Sequence, residues 1–163
     1  MKQNNIIDVR IISDEKLPIE FCATDKEKNE LENRFEIPKI IDFQVQGFFI
    51  RDDQIEFQGH MQALMDRICV STLEKFQEKM ETDIHLFFSE TATGNEDWNI
   101  DEEIVLPIKQ GKINLFDVFS EEFGVNLNPF PKSTNSYLDY RDPNDTDEKE
   151  NPFSVLKKLK ENK

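Results

Sequence analysis

"IDFQVQGFFIRDDQIEFQGHMQAL", residues 41–64, decides the fold class. Ile41, Phe43 and Val45 alternate with Asp42, Gln44 and Gln46, the period of two that buries one face of a strand and wets the other. "RDDQ" (51–54) is a polar turn, and Ile55, Phe57, Gly59, Met61 and Ala63 resume the alternation beyond it. Leu64, Ile68 and Val70 fall on the opposite parity, which predicts a bulge or a change of covered face near 63–66. Parity then holds through Met80, Ile84, Leu86 and Phe88. Three extended segments with short connections predict an antiparallel β-meander, with "STLEKF" (71–76) between the second and third.

On the N-terminal side, "IIDVRII" (6–12) is apolar and β-branched enough for a strand. "TDKEKNELENRF" (24–35) opens with Thr24 three residues before Glu27, the spacing of a capping box, and predicts a helix with Leu31 and Phe35 on one face. Pro38 marks its end or the loop beyond. On the C-terminal side, "SETATGNEDWNIDEE" (89–103) has no apolar period and reads as a loop. "EIVLPI" (103–108) predicts a short strand that Pro107 confines to an edge or an end. "INLFDVFSEEFGV" (113–125) spaces Leu115, Val118, Phe119 and Glu122 for a helix that Asn114 can cap and that must stop before Pro129 and Pro131.

These elements predict an α+β domain over residues 1–133, an antiparallel meander with two packed helices. Residues 134–150 are rich in Asp, Asn and Ser and poor in apolar residues, the composition of an acidic flexible linker. Residues 151–163 reverse the charge, with Lys157, Lys158, Lys160 and Lys163 against Glu161. After Pro152, Phe153, Leu156 and Leu159 would line one face of a short amphipathic helix, too short to be stable unless docked.

A net charge of −14 over 163 residues argues against a broad basic face for a phosphate backbone. Two cysteines far apart do not make a disulfide framework, so a reducing cytoplasm is the expected home. No apolar run approaches the roughly 20 residues needed to span a bilayer, and the N-terminus lacks an export signal, so no membrane association is expected.

The chemistry-bearing residues do not form a catalytic pattern. Cys69 would need a base and an oxyanion site as a nucleophile, yet His60 lies nine residues back and no Gly-rich turn is near. "CVST" offers one thiol where a zinc knuckle needs two, so no metal is expected. His60 and His85 sit in strand-like segments, where imidazoles bonded to neighbours are commoner than ligands. The carboxylates are unpatterned, and the five glycines occur singly, so no phosphate-cradling loop is present. No catalytic residue, cofactor or small-molecule substrate is expected. A metal-dependent nuclease, the rival reading, would need Asp66, Glu74 or Asp117 brought together. A structural module of an unrelated complex is a further alternative.

"RICVSTLEKFQ" (67–77) resembles the Cys-x-x-Cys/Thr-Leu-Glu-x-Phe segment of the YceD-like proteins, the large ribosomal RNA subunit accumulation family, in its alphaproteobacterial-type variant. Cys69, Thr72, Leu73, Glu74 and Phe76 carry the likeness. "GKINLFDVFSEEFGVNLNPFP" (111–131) is similar to a second family block through Gly111, Ile113, Leu115, Glu121, Leu127, Pro129 and Pro131, and "NPFSVLKKLK" (151–160) resembles the family's ending. Thr72 stands where many members have a second Cys, and Asn114 replaces the usual Asp.

The resemblance implies a role in accumulation or maturation of large-subunit (23S) ribosomal RNA and in assembly of the large subunit, without an established reaction. Acidity then suggests as partner a basic ribosomal protein or a large-subunit precursor particle, with rRNA contact through the Lys-rich terminal segment as the alternative. The expected partner-binding residues are Cys69, Thr72, Leu73, Glu74 and Phe76, together with Phe153, Leu156, Lys157, Lys158 and Lys160.

Overall fold

The computed structural model describes residues 5–90 and 105–134. In chain order these form β1 (Ile6–Asp8), a 3-10 turn (Val9–Ile11), β2 (Leu17–Cys22), α1 (Asp25–Phe35), β3 (Lys39–Arg51), β4 (Ile55–Ile68), β5 (Lys75–Ser89), β6 (Val105–Pro107), β7 (Lys112–Asn114) and α2 (Leu115–Asn126). Strands β2 to β5 make an antiparallel meander in sequence order, and β6 joins β5 in parallel at one edge. β1 and β7 pair separately, Ile6 opposite Asn114. The fold is α+β, as the alternation predicts.

One face of the meander carries the core. Phe43, Val45 and Phe49 of β3, Phe57, Met61, Ala63 and Met65 of β4, and Ile84, Leu86 and Phe88 of β5 are buried. Ring contacts run from Phe35 through Phe123, Phe43, Phe21, Phe119, Phe57 and Phe49 to Phe88, threading both helices and four strands. Edge-to-face and tilted rings of this kind add about 0.5–1.5 kcal/mol per pair beyond burial. Gly47 and Gly59 stand opposite each other in β3 and β4, and Phe57 fills the space a side chain would need: a Cβ on Gly47 would come within 2.3 Å of the Gln58 carbonyl and 2.7 Å of the Phe57 ring.

Helix α1 has the predicted capping box, with Glu27 N–H donating to Thr24 Oγ1 at 3.4 Å and Thr24 N–H to Glu27 Oε2 at 2.8 Å. Asn114 caps α2 by accepting from Phe116 N–H at 3.2 Å, so the amide does the work an Asp would do there. Gly124 lets the two helices approach, since a Cβ there would lie 2.6 Å from the Phe35 ring.

Several expectations need correction. The strand at 6–12 ends at Asp8, whose carboxylate accepts from Arg10 N–H at 3.0 Å and Nε–H at 2.9 Å and turns the chain into the 3-10 segment. The bulge lies at Ile40–Asp42 rather than near 63–66. β4 stays in register with β5 from Ile55 opposite Phe88 to Ile68 opposite Lys75, so Leu64 and Ile68 simply project from the outer face. Ile40 takes the inward position, while Ile41, in the bulge, is 38% exposed. Strand β2 adds a fourth, edge strand to the three expected, with Leu17, Ile19 and Phe21 alternating with Pro18, Glu20 and Cys22; Pro18 is tolerated because β2 is an edge. The linker and helix expected over 134–150 and 151–163 lie outside the described residues, apart from Thr134.

Candidate functional site

Residues 69–74 connect β4 to β5. Cys69 N–H donates to the Glu74 carbonyl at 2.9 Å and Leu73 N–H to the Cys69 carbonyl at 2.8 Å, closing the turn. Closure leaves Leu73 at φ 60, a left-handed conformation that favours Gly or Asn. Thr72 Oγ1 accepts from Glu74 N–H at 3.3 Å. The Cys69 side chain is fully buried inside this loop. The Thr72 hydroxyl, then backbone donors of Ser133, Thr72 and Ser71, converge on its sulfur and draw the thiol down from 9.0 to about 6. The threonine in place of a second cysteine therefore stabilises a thiolate by hydrogen bonding.

The segment leaving α2 is bound to the same end of the sheet. Arg67 Nη2–H donates to the Asn128 carbonyl at 2.8 Å, and Phe130 N–H donates to Asn128 Oδ1 at 3.0 Å. Val70 N–H donates to the Pro131 carbonyl at 2.9 Å, and Thr82 Oγ1–H to Asn126 Oδ1 at 3.2 Å. Arg67 occupies the last inward position of β4, 8% exposed, and lies 3.5 Å from Glu78 Oε2 on β5. Burial lowers its pKa and the neighbouring carboxylate opposes that shift. Glu78 Oε2 is itself buried without a hydrogen-bond partner, so the guanidinium is its principal compensation.

On this scaffold apolar side chains project outward: Leu73 is 76% exposed, Phe130 70% and Val70 45%. Glu74 is exposed beside Leu73. Of the five residues expected here, Cys69, Thr72, Leu73 and Glu74 share the turn, with Cys69 turned inward and Leu73 outward. Phe76 lies one step along β5, half-buried opposite Arg67. Val70, Phe130 and the Arg67–Asn128 clamp are missing from the expected set. Pro131 is named in the sequence as a stop to the helix and as part of the second family block, but nothing local says that it meets Val70. Phe153, Leu156, Lys157, Lys158 and Lys160 lie outside the described residues.

The remaining candidates are dispersed. Asp66 pairs with Lys75 at 2.7 Å, Glu74 belongs to the turn, and Asp117 lines a separate concavity of about 240 Å³ with Phe88, Leu106 and Ile113. His60 meets Asp83 at 2.7 Å and His85 meets Glu56 at 3.1 Å, both on the outer face of the sheet. Among the described residues no group of three or more His, Cys, Asp or Glu side chains is arranged to hold a metal ion. No helix among them is long and apolar enough to cross a membrane.

No curated protein and no solved structure matches this chain. A family match covers residues 57–160, more than half the chain, from β4 through the turn and α2. The family's name implies a role in accumulation of the large ribosomal RNA subunit. Through these residues the chain belongs to the family of the large ribosomal RNA subunit accumulation protein YceD.

Proposed function

We propose that this protein is a non-enzymatic factor in maturation of large-subunit ribosomal RNA and assembly of the large subunit. It acts by binding a basic ribosomal protein, alone or on a precursor particle, at the end of the sheet where residues 69–74 meet residues 128–133. The observation that carries this reading is Leu73. Stability alone favours Gly or Asn at φ 60, and a leucine 76% exposed adds little to the core, so its side chain is best used outside the fold. The net charge of −14 attracts a basic partner from a distance, while Leu73, Val70 and Phe130 supply apolar anchors on contact.

The test is a Leu73→Asn, Phe130→Ser variant. Its melting temperature should match or exceed that of the wild type, because the turn is relieved and neither side chain is buried. Cells relying on it should accumulate large-subunit precursors, and its co-sedimentation with them should fall. Wild-type levels of mature large subunit in those cells would refute the site. Binding to the basic partner should weaken as salt rises, whereas naked large-subunit RNA should bind poorly at moderate salt. Tight RNA binding that is lost on replacing Lys157, Lys158 and Lys160 would instead favour direct RNA contact.

A further inference from the structure

β5, with 15 residues, is the longest strand of the sheet, and β6 covers only its end, from Phe87 opposite Val105 to Ser89 opposite Pro107. From Lys75 to Leu86 it is bonded to β4 on one side, and among the described residues no strand pairs with the other. The Ser89 carbonyl accepts from Ile108 N–H on the β6 side. Alternate residues of a strand direct their backbone groups the same way, so Lys75, Gln77, Lys79, Glu81, Asp83 and His85 aim theirs at the open edge. The even-numbered residues bond to β4.

An open edge of this length is a template for another strand, and charged side chains along it ordinarily oppose pairing. Here the charges are segregated by sign: Lys75 and Lys79 occupy the first half, Glu81 and Asp83 the second. We propose that the β5 edges of two copies pair antiparallel about a two-fold axis at Met80, giving a dimer with one continuous sheet. This goes beyond the partner-binding reading and does not depend on it.

In that register Lys79 stands opposite Glu81 of the second copy and Gln77 opposite Asp83, each pair exchanging two backbone hydrogen bonds. On the inner face Phe76 meets Ile84 and Met80 meets Met80, covering two side chains that are half-buried in one copy. The registers two residues to either side keep opposite-charge pairs, Lys75 or Lys79 against Asp83, but add a like-charge contact on the axis, Lys79 against Lys79 or Glu81 against Glu81, and a one-residue slip opposes the inner face of one copy to the outer face of the other. The ion pair Lys79–Glu81 at 2.7 Å within one copy is solvent-exposed and readily exchanged for the intermolecular one.

Sedimentation of the full-length chain across a range of concentrations tests this. A monomer–dimer equilibrium in the micromolar range is expected, in keeping with an interface at the low end of the usual size. Gln77→Pro removes an outward N–H without touching the ladder to β4, and should yield a folded monomer. Lys79→Glu and Glu81→Lys should each weaken the dimer about ten-fold, because two symmetric pairs turn from attractive to repulsive. The double exchange should restore it. A monomer at every concentration, or a dimer indifferent to both Gln77→Pro and the charge series, would overturn the proposal; should Gln77→Pro fail to fold, the charge series decides alone.

Discussion

Val70 N–H donates to the carbonyl of Pro131 at 2.9 Å, and this bond makes one surface out of two sequence blocks. It holds Pro131 buried under the β4–β5 connection and leaves Phe130 facing outward, 70% exposed, near the turn that presents Leu73. The Arg67 clamp on Asn128 is the second attachment.

Arg67→Ala should therefore lower unfolding free energy by about 3 kcal/mol, because it leaves Glu78 uncompensated and orphans the Asn128 carbonyl. Glu78→Leu in the Arg67→Met background should recover much of that loss. A denaturant-based double-mutant cycle measures the coupling, and additive effects would show that the pair does not act as a unit.

The Cys69 thiol gives a pH dependence of known sign. Its folded pKa of about 6 lies below the ordinary 9.0, so folding favours the thiolate. The contribution is fully present above the unfolded value and disappears as pH falls through about 6. The melting-temperature difference between wild type and Cys69→Ala should grow from pH 6 to pH 9, and Thr72→Val should flatten it. Because the sulfur is buried, Cys69 should nonetheless alkylate more slowly than Cys22, which is partly accessible.

Gly124→Ala should be destabilising by about 1 kcal/mol in the wild type, since the new methyl meets the Phe35 ring at 2.6 Å and the crowding outweighs the gain in helix propensity. In a Phe35→Ala background the same substitution should stabilise. Thermal or urea melts of the four proteins reveal whether the sign reverses.

Thr24→Ala should cost about 1 kcal/mol by uncapping α1. Glu27→Ala should be partly redundant with it, because Glu27 Oε2 accepts from both Thr24 N–H and its hydroxyl. Helix content by circular dichroism and denaturant midpoints would check both.

Much of this architecture is legible from local pattern. Alternation along 41–88 encodes which side chains turn inward, and the Thr24–Glu27 spacing and Asn114 encode helix starts, because these features depend on neighbours a few residues apart. The bulge escapes such reading: Ile40 and Ile41 are equally apolar, and only packing selects Ile40 for the core. Arg67 is misleading in the same way, a charged residue in the inward row that is acceptable only because Asn128 and Glu78 meet it.

The sequence by itself determined the α+β class, the order of β3 to β5, both helix N-caps and the turn that holds Cys69. Only the tertiary structure decided that β1 pairs with β7, that β6 adds in parallel, that hydrogen bonds from Thr72 and Ser133 draw the Cys69 thiol pKa down, and that Pro131 lies against Val70. The reason is physical. Period and capping act within a strand or a turn, whereas each of these pairings except the Thr72 contact closes a long stretch of chain, whose entropy is offset only when the whole core forms and which leaves no local mark on the residues involved.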